Sequence, residues 1–277
     1  MTLDTFQPST TAMGGTGMRV SGAPFRALAV CVLVAALSGC AVTKTAERPV
    51  GQDADGSLIL TNADLRVAAS ALQSGDVNAA RSLYTELVQQ HPNSSPVWLG
   101  LGNTFFLEGD YQAARNAYDK AVQLDADSLD ARLAQARVAV RLRDLHTAQV
   151  LYQQVLHTEP NNPVALAGLG VAFDLQGQAA QAQDIYRRGL TAHPGDEALR
   201  ANLGLSLALS GQPREAINIL LGKSGAAGSL PQVRDNLALA YGLLGREDAA
   251  EAILSSTQPR SLVQDNLAFY TYLVGPA

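Results

Sequence analysis

A spacing of 34 residues constrains this chain more than any other feature of its sequence. Glycines recur on one ladder with that spacing, and Arg143 stands at the single rung that lacks glycine. The ladder glycines are Gly75, Gly109, Gly177, Gly211 and Gly245. Five residues beyond each rung stands an alanine: Ala80, Ala114, Ala148, Ala182, Ala216 and Ala250. A short fixed period predicts an array of identical supersecondary units, each too small to bury its apolar face alone.

Each residue type in the repeat has a mechanical role in a helix pair. Glycine ends the first helix in a left-handed conformation, and alanine lets the second helix cross the first closely. Nine residues after each rung stands a bulky residue: Tyr84, Tyr118, Tyr152, Tyr186, Leu220 and Leu254. First helices carry a leucine followed by a small residue: Leu101-Gly102, Leu169-Gly170, Leu203-Gly204 and Leu237-Ala238. Pro92, Pro160 and Pro194 are placed to end second helices.

The second repeat resembles the tetratricopeptide repeat family most fully. It carries the family's residue types at Trp98, Leu101-Gly102, Phe105, Gly109, Ala114, Tyr118 and Ala121, with Ala126 in place of the terminal proline. The resemblance implies an all-α tetratricopeptide-repeat superhelix, an α-solenoid of about six helix pairs plus a C-terminal capping helix. The predicted repeats are 61–94, 95–128, 129–162, 163–196, 197–230 and 231–264.

Three places depart from the regular pattern. The third repeat has Gln135 at the leucine position and Arg143 at the glycine position, so its packing is the least regular. The fifth repeat ends in Gly225-Ala226-Ala227-Gly228, which predicts a local break. The capping helix is predicted over residues 265–277, since a stacked array exposes the apolar face of its last repeat. Its predicted covering residues are Phe269, Tyr270, Tyr272 and Leu273.

The first forty residues indicate targeting. Arg19 and Arg26 precede an apolar run at residues 27–37, and Leu37-Ser38-Gly39-Cys40 closes that run. An eleven-residue run is too short to span a bilayer. The tetrapeptide resembles the lipobox of bacterial lipoproteins, which implies a signal peptide at 1–39, with Met18 as an alternative start, and lipidation of Cys40. A plain signal peptide or a buried apolar helix is the other interpretation. Residues 40–60 are predicted to form a polar, lipidated tether.

First helices are expected to line the inner groove of such an array and to contact partner proteins. The predicted groove residues are Leu99, Asn103, Phe106, Leu133, Arg137, Val140, Arg141, Val171, Asp174, Leu205 and Ala208. We expect an apolar or amphipathic partner segment, which Arg137 or Arg141 orients. The alternative is that neighbouring helices or the tether cover these positions. The basic set Arg132, Arg137, Arg141 and Arg143 either meets an acidic partner or pairs with Asp130 and Asp144 on a solvated face.

No pattern in the sequence predicts catalysis, a metal or a cofactor. His91 and His193 hold one repeat position before a proline and are expected at surface turns, while His146 and His157 fit no ligand spacing. With Cys31 in the signal peptide and Cys40 lipidated, no thiol is left for a disulfide. The net charge of −5 argues against nucleic acid as a partner. The sequence predicts a binding protein and not an enzyme.

The chain from Cys40 onward resembles the TadD family, the tetratricopeptide lipoproteins of the tight-adherence (Flp) pilus assembly system. Asn236-Leu237-Ala238 and Asn266-Leu267-Ala268 carry the more specific part of that resemblance. It implies an outer-membrane, periplasm-facing lipoprotein that acts like a pilotin, with the pilus secretin or other pilus assembly proteins as partners. Ala41, in place of Asp after the lipidated cysteine, agrees with the outer membrane. The alternatives are a type IV pilus pilotin such as PilF or PilW, or a general assembly scaffold that holds an enzyme.

Overall fold

The computed structural model describes residues 62–222 and 231–274, without the side chain of residue 62. Several sequence predictions lie outside these ranges: the signal peptide at 1–39, Cys40, the tether at 40–60 and the break at 225–228. The described residues form thirteen α-helices and no strand. None of these helices has the length and apolar character needed to cross a bilayer.

The helices form six sequential pairs followed by one more helix, which confirms the predicted all-α solenoid. The first helices of the pairs are α1 (Asn62–Gln73), α3 (Ser95–Glu108), α5 (Leu129–Arg141), α7 (Pro163–Asp174), α9 (Glu197–Leu209) and α11 (Pro231–Leu243). The second helices are α2 (Val77–Gln90), α4 (Tyr111–Leu124), α6 (Leu145–Thr158), α8 (Ala179–Ala192), α10 (Pro213–Leu221) and α12 (Glu247–Ser255). The last helix is α13 (Arg260–Val274).

The turn inside each pair has the left-handed backbone that the glycine ladder predicted. Gly109 has φ 83°, and the glycines at the other four glycine rungs have φ between 76° and 82°. Arg143 has φ 63° and is the one non-glycine residue with positive φ among the described residues. The third pair therefore makes the same turn as the others, with a side chain that disfavours this conformation.

The alanine and tyrosine ladders form the core between helices. All six ladder alanines are fully buried, and the bulky residues nine positions after each rung are at most 4% exposed. Tyr118 packs against Gly102 of its own pair, and Tyr84 packs against Gly100 of the next pair. The predicted exchange of bulk between a small and a large residue is thus confirmed, both within and between pairs.

Side-chain caps begin many of the helices. The carboxylates of Asp76, Asp110 and Asp144 each accept a hydrogen bond from the backbone N–H three residues later, at 3.0, 3.0 and 3.2 Å. These aspartates are themselves 34 residues apart and satisfy donors that the first turn of a helix leaves unpaired. The helices before Pro92, Pro160 and Pro194 each end two residues ahead of the proline, as predicted.

The irregular third pair keeps its packing by a polar contact. Gln135, at the leucine position, donates from Nε2 to Oδ1 of Asp119 on α4 at 2.7 Å. Ala136 beside it is fully buried. The departure in sequence therefore changes one contact between neighbouring pairs and leaves the helix stack intact.

The C-terminal helix differs from its prediction. It begins at Arg260, inside the predicted sixth repeat, because α12 is only nine residues long. Tyr270 is buried against Gly242 of α11 and covers the last pair. The prediction that Phe269, Tyr272 and Leu273 also cover the array is wrong, since they are 53%, 80% and 42% exposed.

Candidate binding groove

The predicted groove residues lie on four consecutive first helices. They are Leu99, Asn103 and Phe106 on α3, Leu133, Arg137, Val140 and Arg141 on α5, Val171 and Asp174 on α7, and Leu205 and Ala208 on α9. Arg137 and Arg141 are exposed, and the others except Ala208 are half-buried. Ala208 is 3% exposed and belongs to the apolar core, so its inclusion in the groove is wrong. A methyl side chain on α9 is too short to pass its larger neighbours.

One group of these residues forms what we call the arginine cluster: Asn103, Phe106, Tyr111, Arg137 and Arg141. The Arg137 guanidinium lies 4.4 Å from the Phe106 ring centroid and donates to Asn103 Oδ1 at 3.1 Å. The Arg141 guanidinium lies 4.7 Å from the Tyr111 ring centroid and donates to its hydroxyl. Phe106 and Tyr111 meet edge to face, with centroids 5.4 Å apart. Aromatic faces thus hold two guanidinium groups in place at the exposed surface.

The arginines of this region lack the predicted carboxylate partners. No ion pair joins Arg132, Arg137, Arg141 or Arg143 to an acidic residue in the described parts of the chain. Arg132 instead donates to the backbone carbonyl of Ala126. The expected pairing with Asp130 and Asp144 is therefore wrong, and the positive charges of Arg137 and Arg141 remain available to an anionic group.

A second group lines a cavity of about 510 Å³ between α7, α8 and α9, which we call the Asp174 pocket. It is lined by Val171, Asp174, Leu175, Gly177, Ala179, Tyr186, Asn202, Leu205, Ser206, Leu209 and Ser210. The Tyr186 hydroxyl donates to Asp174 Oδ2 at 2.9 Å, and the Ser206 hydroxyl donates to Asp174 Oδ1 at 2.6 Å. Residues from three helices thus fix one carboxylate in a mostly apolar cavity.

The electrostatics of the pocket follow from its burial. Burial raises the pKa of the Asp174 carboxyl above its ordinary value of 3.8, although the hydrogen bonds from Ser206 and Tyr186 lower it. Burial and the neighbouring Asp174 charge raise the pKa of Tyr186 well above the range of ordinary tyrosines. The tyrosine is therefore a neutral donor at physiological pH, and the aspartate carries the only formal charge among the lining residues.

The sequence prediction missed residues at the pocket rim. Leu175 and Leu209 line the pocket and are 42% and 63% exposed. They stand 34 and 68 residues after Arg141, which the prediction included, and Leu243 holds the same position one repeat further on. The repeat period alone could have placed them in the groove beside Arg141. Tyr186 and Ser206 could not be found this way, because their contact with Asp174 joins different helices.

The histidines lie apart from both groups. His91 and His193 end α2 and α8, as predicted, and the His193 ring lies 2.6 Å from the Asn161 carbonyl. His146 and His157 are exposed on α6. In the parts of the chain that the structure describes, no three His, Cys, Asp or Glu side chains are grouped to hold a metal ion.

Family models match the repeat array. The model described as the cytochrome c-type biogenesis protein H TPR domain matches residues 80–200, and the tetratricopeptide repeat model matches residues 62–94. No curated protein matches the chain significantly in sequence. Solved structures do match it in fold.

Among these structures, the type IV pilus biogenesis factor PilW has a TM-score of 0.66 at 18% identity, covering 75% of this chain and 96% of that one. PilF of Pseudomonas aeruginosa has a TM-score of 0.61 at 15% identity, covering 76% of this chain and 96% of that one. The Cut9-Hcn1 hetero-tetramer of the APC/C matches with a TM-score of 0.64 at 20% identity, over 75% of this chain. This chain spans only 42% of that one. The family models, the helix pairs and these shared folds identify the chain as a tetratricopeptide-repeat protein.

Proposed function

We propose that this protein is a lipid-anchored scaffold that binds other proteins and helps the secretin of a tight-adherence (Flp) pilus to assemble at the outer membrane. The observation that carries the proposal is the combination of Leu37-Ser38-Gly39-Cys40 with a repeat array that leaves part of its groove open. The motif supplies a site for lipid, and the groove supplies a surface for a partner protein. The groove offers side-chain contacts of both kinds, apolar and charged, and we propose no catalytic step.

The lipid anchor is supported by the chemistry of the chain start. A basic segment, an apolar run and small residues before Cys40 are the features that a lipoprotein signal requires. One acyl chain holds a protein to a membrane only marginally, whereas two or more hold it stably. Ala41 after the cysteine supports transfer to the outer membrane. A groove anchored in this way would meet partners that arrive from the periplasm.

The assignment to a pilus is supported by the resemblance to the TadD family and by the shared fold with PilW, which is named as a type IV pilus biogenesis factor. The fold likeness covers nearly the whole of PilW and PilF. A second candidate function, pilotin of a type IV pilus secretin, is favoured by the same two structures. The secretin that co-purifies with the solubilised protein distinguishes the two candidates.

The test of the anchor is Cys40→Ala, with Cys31→Ala as the matched control. Both variants remove one cysteine from the first forty residues, but only Cys40 follows the small residues of the lipobox. We expect Cys40→Ala to abolish labelling by radioactive palmitate and to leave secretin multimers reduced and displaced from the outer-membrane fraction. Cys31→Ala should behave as the wild type. If deleting the entire protein leaves secretin multimers and piliation unchanged, the proposed role is wrong.

The test of the groove is Phe106→Ala combined with Val140→Asp. Both side chains are half-buried on first helices, and the change removes an aromatic contact and adds a charge. The control is Val150→Asp, at an exposed valine on the second helix α6. We expect the groove variant to lose secretin co-purification while circular dichroism shows an intact helical fold. Arg137→Gln, at an exposed position, tests the same surface if the double variant fails to fold.

A further inference from the structure

The charge and shape of the Asp174 pocket point to a more specific ligand than the proposed scaffold function states. On the basis of that function, we infer that the pocket binds a lysine or arginine side chain of the partner segment, with apolar partner residues on either side of it. The inference rests on the hydrogen bonding of Asp174, on the charges around it and on the apolar rim of the cavity.

Asp174 lacks a positively charged partner within the described residues. None of the ion pairs there includes it. Tyr186 and Ser206 each donate one hydrogen bond, to different carboxylate oxygens. A carboxylate has about four lone-pair positions, so each oxygen can accept a further hydrogen bond. Buried charges in proteins are normally paired, and an ammonium or guanidinium group in the cavity would supply the missing pair.

The surroundings of Asp174 contain no group that opposes a cation. From α7 the lining residues are Val171 and Asp174, from α8 Ala179 and Tyr186, and from α9 Asn202, Leu205, Ser206 and Leu209. Leu175, Gly177 and Ser210 complete the lining from the turns. No Lys, Arg or His is among them. A positive group entering the cavity therefore meets one negative charge and neutral hydrogen-bonding partners.

The rim of the pocket suits the carbon chain of a basic side chain and apolar residues next to it. Leu175 and Leu209 are exposed at the mouth, and Val171 and Leu205 are half-buried beside them. Lysine and arginine place their methylene stems on apolar surfaces while the charged end makes polar contacts. A second cavity of about 390 Å³ shares Leu209 and continues the apolar surface to Leu243 and Leu273.

The other part of the groove has the opposite charge. The arginine cluster presents Arg137 and Arg141, whose guanidinium groups stack on aromatic rings without a carboxylate partner in the described chain. A segment with its basic residue in the Asp174 pocket thus avoids repulsion only in one direction along the groove. Charge complementarity therefore selects both the residue type and the orientation of the segment.

The test is selection from a library of random peptides of about twelve residues displayed on phage, with the full chain as the bait. We expect the selected peptides to be enriched in lysine or arginine next to leucine, isoleucine, valine or phenylalanine. The same selection against Asp174→Asn should lose the basic enrichment and keep the apolar one. Asp127→Asn, at an exposed loop position outside the pocket, is the control and should give the wild-type result.

A binding measurement then gives the size of the effect. The strongest selected peptide and its Lys→Gln or Arg→Gln form are titrated with the full chain by fluorescence anisotropy. A charge-assisted hydrogen bond predicts binding on the order of tenfold weaker for the glutamine peptide, and an equal loss for Asp174→Asn with the basic peptide. The glutamine peptide should bind wild type and Asp174→Asn alike.

Selected peptides without basic enrichment, enrichment that survives Asp174→Asn, or a selection that yields no peptide would each overturn the inference. The proposed function fails by a different result, namely normal secretin assembly after deletion of the protein. A chain that is required for secretin assembly but shows no preference for basic peptides refutes the Asp174 pocket assignment alone.

Discussion

The ring of Tyr118 occupies the space that a side chain on Gly102 would need. A Cβ atom built on Gly102 would lie 2.5 Å from Cδ1 of that ring. Tyr118 is fully buried, and its hydroxyl donates to Asn103 at 2.9 Å, so the ring cannot move aside freely. The first helix and the second helix of this pair therefore approach as closely as they do because residue 102 has no side chain.

Gly102→Ala should destabilise the protein by about 1–3 kcal/mol, since one methyl group must displace a fully packed ring. Urea unfolding followed by circular dichroism measures the change. Gly195→Ala is the control, because a Cβ atom there meets nothing within 4 Å and its φ is not positive. Equal stability of Gly102→Ala and wild type would contradict the close packing of these two helices.

Arg143→Gly should stabilise the protein. Arg143 has φ 63°, a conformation that costs a residue with a side chain about 1–2 kcal/mol and costs glycine little. Part of this gain is offset because glycine loses more backbone entropy on folding, so we expect a net gain of about 1 kcal/mol or less. Gly109→Arg, the reverse change at the equivalent turn, should destabilise. A lower melting temperature for Arg143→Gly would show that the Arg143 side chain makes a stabilising contact.

The repeat period predicted the core well because a helical position determines which way a side chain faces. Ala80 and Ala250, five repeats apart, are both fully buried. The same logic placed Arg143 at a turn that requires positive φ. A fixed period therefore carries both the register of each helix and the position of each turn.

The end of the array was harder to predict, because it no longer repeats. The period extended the sixth second helix toward residue 264, whereas α12 ends at Ser255 and Pro259 directly precedes α13. Aromatic residue type suggested that Phe269 and Tyr272 cover the array, but only Tyr270 lies on the face that contacts α11. Residue type gives the tendency to be buried, while the facing of a non-repeated helix depends on its packing.

The groove was predicted in outline from the rows of first-helix positions. Asp174 was placed in it by its spacing from Phe106 and Val140. The structure adds that Asp174 lies in a cavity with Tyr186 and Ser206. That arrangement depends on the distances between three helices, which no local sequence pattern contains.

Alkaline pH should unfold the protein through its buried tyrosines. Burial raises the pKa of Tyr152 from 10.0 to about 12. Below pH 10 the hydroxyl is neutral in both folded and unfolded chains, so its contribution is fully present. As pH rises from 10 toward 12 only the unfolded chain ionises, and about 2–3 kcal/mol of stability is lost through this residue.

The absorbance of tyrosinate near 295 nm and helical circular dichroism, recorded on one alkaline titration, test this. Tyr152→Phe removes the ionisable group and should lessen the loss of stability between pH 10 and 12. Tyr272→Phe, at a side chain that is 80% exposed, should leave the loss unchanged. An equal effect of the two substitutions would contradict the burial of the Tyr152 hydroxyl.

Asp174→Asn should change the acid side of the stability profile in a defined direction. Burial raises the pKa of the folded Asp174 carboxyl above its ordinary value of 3.8. Between these two values the folded chain binds the proton more tightly than the unfolded chain, so stability falls as pH rises through the folded pKa. At pH 7 the wild type should therefore lose stability relative to Asp174→Asn, and the difference should shrink as pH is lowered below 3.8. Unfolding in urea at several pH values measures it, with Asp127→Asn as the control. A difference between wild type and Asp174→Asn that is constant with pH, or that changes in the opposite direction, would show that the carboxyl is not held in an unfavourable environment. A basic peptide bound in the Asp174 pocket supplies the missing positive charge, so it should reduce the same difference at pH 7.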